Sequence, residues 1–213
     1  MDSEPTMKVL ICAPIKSGTK YIYRALNDVG IEIGHEKPKK DGLSGYSFVM
    51  QDPDKYEIIV QQTRDPLKSI SSAAKYRSFW CEICEPHLGL HSDYPQLCKL
   101  CKEHGISQTD GCGMRPKENY VCPTKVLRTM KYWYCMCRDA EKMSSWRYKV
   151  EDYYNDTETR KTLHDMLGVK KNKPVFEWAP NNPNYTYLDW DYLEGIDAKL
   201  TEMIRDKAKL YGY

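Results

Sequence analysis

The sequence predicts an α/β domain: a central, mainly parallel sheet with helices on both faces, carrying a small cysteine-rich insertion. Two strand-to-helix transitions and one compositional break predict it. The apolar run Lys8-Val9-Leu10-Ile11-Cys12-Ala13 ends at Pro14 and passes through the small-residue turn Ser17-Gly18-Thr19 into a helical stretch. A second β-branched run, Tyr56 to Thr63, ends at Arg64-Asp65 and meets Pro66, which suits the first turn of a helix. Strand followed by helix, repeated, is the pattern of a parallel sheet. The break is the middle of the chain, where six of the nine cysteines fall between Cys81 and Cys122.

Taken in order, the first strand runs from Lys8 and the first helix covers Tyr21 to Gly30, followed by a second strand at Ile31 to Gly34. The turn between them carries chemistry. Ser17, Gly18 and Thr19 are small enough to let backbone N–H groups approach an anion, and a helix N-terminus behind them adds the positive end of its dipole. This is nucleotide-phosphate geometry. It is not a Walker A loop, because Ala13 holds the first glycine position of that motif and Thr19, rather than lysine, follows Gly18.

Pro14-Ile15-Lys16-Ser17-Gly18-Thr19-Lys20 resembles the 5′-phosphosulfate loop of the sulfotransferases, Pro-Lys-Ser-Gly-Thr-Thr, with Ile15 inserted and Lys20 replacing the second threonine. The resemblance implies a P-loop-like three-layer fold and 3′-phosphoadenosine-5′-phosphosulfate as sulfuryl donor. It places Lys16, Ser17, Gly18, Thr19 and Lys20 against the donor, with Lys16 also catalytic, neutralising charge on the bridging oxygen. It further implies that Arg64 and Ser72, eight residues apart as in the family, hold the 3′-phosphate. A planar guanidinium suits that task because it makes charge-assisted, bidentate bonds to phosphate. Tyr21 stands near the position where the family sets an aromatic ring against adenine.

Gly34-His35-Glu36, followed shortly by Asp41-Gly42, looks like a segment of the bacterial and phage-type members. Sulfuryl transfer to a hydroxyl needs a proton acceptor, and either His35 or Glu36 fills that role. Trp146-Arg147-Tyr148-Lys149-Val150-Glu151-Asp152-Tyr153 resembles the late family strand that ends in Arg-Tyr-Glu-Asp-Leu, with Lys149-Val150 inserted. Helices are expected over Val126 to Lys142 and over Thr159 to Leu167, the latter closed by Gly168. A closing amphipathic helix is expected to bury Leu200, Met203, Ile204, Ala208 and Tyr211. The Arg-Lys-Gly loop that completes the site in animal cytosolic members has no counterpart here; Lys170, Lys171, Lys173, Asn181 and Asn182 are the candidates to replace it.

The insertion, residues 79–123 of a single 1–213 domain, contains Cys81-x-x-Cys84 and Cys98-x-x-Cys101 with thirteen residues between the pairs. Two such knuckles can close a tetrahedral thiolate site, so Cys81, Cys84, Cys98 and Cys101 are the expected ligands of a structural Zn2+. His87, His91, His104, Cys112 and Cys122 are alternative ligands. In an oxidising compartment the six cysteines would pair as disulfides instead. Cys135 and Cys137 belong to a helix and Cys12 to a strand, where they are expected to be packed thiols.

With 213 residues, a net charge of +2 and a pI near 8.0, the chain has no broad nucleic-acid footprint. No apolar run is long enough to cross a bilayer, and a short acidic start at Met1 to Thr6 does not read as a signal peptide, so a cytoplasmic protein without a membrane partner is expected. The expected function is transfer of a sulfuryl group from the nucleotide donor to an acceptor hydroxyl or amine. Two other readings stand beside it: a P-loop-related small-molecule kinase using ATP, and a non-catalytic, zinc-containing interaction module on a degenerate nucleotide-binding fold.

Overall fold

In the computed structural model of the chain, described over residues 7–75, 123–169 and 188–213, the first strand is β1 (Met7–Cys12). Val9, Leu10, Ile11 and Cys12 have no exposed surface, which is why the run is apolar on both alternating faces: a strand covered on both sides has no face to give to water. β1 is flanked by β4 (Tyr56–Thr63), with Ile11 opposite Val60, and by β3 (Gly42–Gly45), with Ile11 opposite Ser44. β2 (Ile33–His35) pairs with β3, and β5 (Trp146–Lys149) pairs with β4. The resulting five-stranded sheet has the order β2-β3-β1-β4-β5 and every pairing is parallel. From β1 the chain moves outward to β2 and back to β3, then crosses β1 to reach β4. The direction of winding therefore reverses at β1, and in open parallel sheets the carboxyl ends beside such a reversal are where ligands bind.

The chain divides into two compact units. Met1–Arg64 with Met136–Asn182 makes the first, and it contains the whole sheet. One sheet face, formed by Val9, Ile11, Ile33, Val60 and Tyr148, packs against Ile22, Ala25 and Leu26 of α1 (Thr19–Asp28). The same core takes in Val150 and Tyr153 of α4 (Val150–Asn155) and Leu163 of α5 (Thr157–Met166). On the opposite face Gln61 donates through Nε2 to the carbonyl of Cys137, in the C-terminal part of α3 (Pro123–Met143), at 3.2 Å. Helices thus cover both faces of the sheet, an α/β arrangement compatible with three layers. Burying each of these aliphatic side chains contributes about 1.5–3 kcal/mol.

The late strand expected from Trp146 to Tyr153 stops at Lys149, because Val150 and Tyr153, three apart and both fully buried, are on one face of a helix rather than on one face of a strand. α5 starts at Thr157, two residues before the expected Thr159, because Asp156 caps it by accepting the N–H groups of Glu158 and Thr159. β3 was not expected at all; its four residues are small or isolated, and Leu43 is its only large apolar side chain.

The second unit, Asp65–Cys135 with Pro183–Tyr213, holds α2 (Pro66–Lys75), most of α3, α6 (Trp190–Ile196) and α7 (Ala198–Leu210). Asp65 caps α2 by accepting the N–H of Leu67, and Asp189 and Asp197 cap α6 and α7 in the same way. On α7, Leu200, Ile204 and Ala208 are buried, as is Tyr211 just beyond it, but Met203 is 36% exposed and Thr201 is buried instead. At about 100° per residue the buried arc opens from Leu200 toward Thr201, and Met203 falls on the other side of Leu200. Among the described residues no helix is long and apolar enough to cross a membrane.

Candidate functional site

The loop between β1 and α1 is shaped residue by residue. Ser17 donates its N–H back to the Pro14 carbonyl at 3.3 Å, closing a tight turn, and Lys16 takes a positive φ of 60° to make it. Gly18 follows at φ 84°, a left-handed value that costs a residue with a Cβ about 1–2 kcal/mol. Its carbonyl accepts the N–H groups of Tyr21 and Ile22 at 2.9 and 3.3 Å, so α1 begins here with no side-chain cap. No acceptor among the described residues takes the N–H groups of Gly18, Thr19 or Lys20. The Ser17 hydroxyl, in a residue with no exposed surface, is likewise unpartnered.

The carbonyls of the same loop are engaged. Arg64, one residue past β4, donates through Nη1 to the Lys16 carbonyl at 2.8 Å. Gln62, in β4, donates through Nε2 to the Ser17 carbonyl and accepts the Tyr148 hydroxyl through Oε1 at 2.8 Å. Thus the turn offers donors while the carbonyls of Lys16, Ser17 and Gly18 are engaged.

At the end of β2, His35 places Nε2 3.0 Å from the Thr19 hydroxyl, so the second strand reaches the first turn of α1. Burial, then Lys20 and Lys16, lowers its pKa, and the imidazole is neutral at pH 7. Glu36 comes next, at a positive φ of 63° that turns its side chain inward. Its Oε1 is 3.6 Å from His35 Nε2, while Oε2 accepts the N–H of Ser47 at 3.0 Å. Ser47 returns a hydroxyl bond to the Glu36 carbonyl at 2.8 Å. Burial pushes the Glu36 carboxyl up to about 7 against the opposing pull of the Ser47 and Tyr46 amides. Gly45 makes the pocket possible: a Cβ there would lie 2.3 Å from Glu36 Oε2. A neutral imidazole beside a carboxyl that titrates near neutrality can accept a proton from a substrate at physiological pH.

Lys16, Ser17, Gly18, Thr19, Lys20, His35, Glu36 and Arg64 all belong to the first unit and to the carboxyl edge of its sheet. Ser72 belongs to the second unit, on α2, where it is 7% exposed. Its neighbour Ser71 accepts the N–H of Leu188 at 2.9 Å. Tyr21 is 44% exposed and meets Tyr154 edge-on at 6.4 Å. Cys81, Cys84, Cys98 and Cys101, the other proposed insertion ligands, and Lys170, Lys171, Lys173, Asn181 and Asn182 all lie outside the described residues. Cys12, Cys135 and Cys137 are buried and outside any disulfide, and burial drives the Cys12 pKa far up. Gln62 and Ser47 are site residues that sequence reasoning did not single out, and neither belongs to a short motif; Tyr148 was read only as part of the late strand, with no role in the site. Among the described residues no group of three or more His, Cys, Asp or Glu side chains could hold a metal.

No family model matches the chain, and neither a curated protein nor a solved structure matches it.

Proposed function

We propose that the chain is a sulfotransferase of P-loop-like, three-layer architecture, moving a sulfuryl group from 3′-phosphoadenosine-5′-phosphosulfate to an acceptor hydroxyl or amine. The observation that carries this reading is the β1–α1 turn: three amides and a buried Ser17 hydroxyl that no group among the described residues answers sit next to a neutral histidine bonded to Thr19. The donor set suits a phosphate, which brings acceptor oxygens and no donors. In the overall exchange the acceptor's O–H or N–H bond and the donor's sulfur–oxygen bond break as the new bond to sulfur forms. The amides of Gly18, Thr19 and Lys20 hold the 5′-phosphate, Lys16 neutralises the charge that grows on the departing oxygen, and Arg64 serves the 3′-phosphate. His35 or Glu36 takes the proton. Because the transition state is loose, positioning and electrostatics supply most of the acceleration. We place this activity in the cytoplasm, where three packed cysteines outside any disulfide are at home.

Thermal stabilisation by adenosine 3′,5′-bisphosphate, compared with ATP plus magnesium, tests the reading. A larger rise in Tm with the bisphosphate, independent of divalent metal, is expected. A larger rise with ATP and magnesium would move the chain to the kinases, and no response to either would leave it a binding module.

A further inference from the structure

The amide of Gln62 faces two ways inside the sheet. Its orientation is fixed by chemistry, since a tyrosine hydroxyl that donates to Oε1 and a carbonyl that can only accept leave Nε2 a single direction, toward Ser17. Ser17, Gln62 and Thr63 have no exposed surface, and Tyr148 is 4% exposed, so water does not compete for these bonds. In a trans peptide the C=O and the following N–H point to opposite sides. Holding the Ser17 carbonyl against β4 therefore turns the Gly18 N–H away from β4 and toward the open side of the turn. Arg64, two residues on, does the same to the Lys16 carbonyl. The residues at φ 60° and φ 84° on either side of Ser17 complete a concave run of backbone, the kind that gathers N–H groups around an anion.

We propose that Gln62, oriented by Tyr148, is a positioning residue that presets the β1–α1 turn for an anionic ligand. This rests on the proposed function only in naming that ligand as the 5′-phosphate of an adenylate. Gln62 touches no ligand itself. Without its amide the Ser17–Gly18 peptide is free to rotate, and the anion then has to order the turn on binding, which weakens affinity without removing any direct contact.

The test uses the full chain and the variants Gln62→Met, which keeps the length and removes the amide, and Tyr148→Phe, which removes only the hydroxyl that orients it. Binding of adenosine 3′,5′-bisphosphate and of adenosine 5′-phosphate is measured by calorimetry at a temperature where each variant is folded. Stabilisation by inorganic phosphate is measured in parallel. Gln62→Met is expected to weaken both nucleotides by the same factor, about tenfold or more, and to abolish most of the phosphate-induced rise in Tm; Tyr148→Phe should do the same by a smaller factor. A merely structural role lowers the ligand-free Tm and leaves both Kd values within twofold, and that result overturns the proposal. Should Gln62→Met fail to fold, an unchanged Kd in Tyr148→Phe overturns it alone. Wild-type protein stabilised by phosphate but not by the bisphosphate would sink the donor assignment and leave the clamp to be read on phosphate; no response to any of the three anions would sink both.

Discussion

Two stretches of backbone begin a helix at the carboxyl edge of the sheet, and they differ in what answers their N–H groups. At Tyr46–Met50, the short 3-10 helix after β3, the Glu36 carboxylate takes the amides of Ser47 and Tyr46 from within the chain. At Gly18–Lys20 no group among the described residues does so, although the carbonyls beside those amides are held by Gln62 and Arg64. The first stretch is a completed internal contact, with glycine at position 45 to admit the carboxylate. The second is a donor surface built to a shape and left for something else. The contrast teaches that a helix start gains functional meaning from the balance of its partners: donors unanswered while acceptors are clamped.

The largest effect is expected where the open stretch meets the chemistry. Lys16→Ala should lower turnover by about a hundredfold or more, since a charge that acts on an oxygen becoming negative is worth about 3–4 kcal/mol in the transition state. Bisphosphate affinity should stay within about tenfold, because that charge is small before transfer. Single-turnover kinetics with excess enzyme separates the two, and near-normal turnover would remove Lys16 from the mechanism.

Next in size is Arg64, which joins the open stretch to β4. Losing a charge-assisted phosphate contact should weaken the bisphosphate by about 2–3 kcal/mol in Arg64→Ala. Because Arg64 also holds the Lys16 carbonyl, adenosine 5′-phosphate should weaken too, by about 1 kcal/mol. Equal losses for both nucleotides would assign Arg64 to the loop alone, and an untouched adenosine 5′-phosphate would assign it to the 3′-phosphate alone.

The same contrast explains what the sequence could reveal. β1, β4, α1 and α2 were legible because each has a strong local signal, a β-branched run or a turn followed by a helix former. β3 was not, since Gly42-Leu43-Ser44-Gly45 becomes a strand only through its two neighbours, β1 and β2. The open stretch showed itself as Ser17-Gly18-Thr19. The completed one did not, because the burial of Glu36 depends on a glycine nine residues later and on two amides beyond it. Gln62 was invisible for a related reason: an amide near the end of a strand has no local partner, and its meaning lies 45 residues back at Ser17 and 86 residues on at Tyr148.

Breaking the completed stretch should cost stability rather than affinity. Gly45 is extended, at φ 163°, so alanine adds no backbone strain, and its whole cost is the overlap with the Glu36 carboxylate. Displacing that carboxylate leaves two amides unanswered, and about 2–4 kcal/mol is expected from overpacking and lost bonds together. Urea denaturation measures it. In a Glu36→Ala background the same Gly45→Ala change should cost much less, and an unchanged cost there would show that the glycine serves something other than Glu36.

The smallest effect is the pH dependence that Glu36 writes into folding. Its carboxyl ionises near its ordinary value of 4.5 in the unfolded chain and at about 7 in the folded one, so the folded state holds the proton over the interval between. Stability contributed by this group is therefore complete below about pH 4.5 and is lost as the pH climbs to about 7, after which both states are ionised and the loss stops. At 1.36 kcal/mol per pH unit the ceiling is about 3 kcal/mol. With 19% of the side chain open to water, about 1–2 kcal/mol is the expected size. Other groups titrate over the same range, so the measurement is a difference: unfolding free energy of wild type minus that of Glu36→Gln, followed from pH 4.5 to 8. The difference should shift against wild type up to about pH 7 and be flat beyond it. A difference that is flat throughout would mean a carboxyl with its ordinary affinity for protons, and would leave His35, whose pKa burial lowers, as the proposed base for the transferred proton.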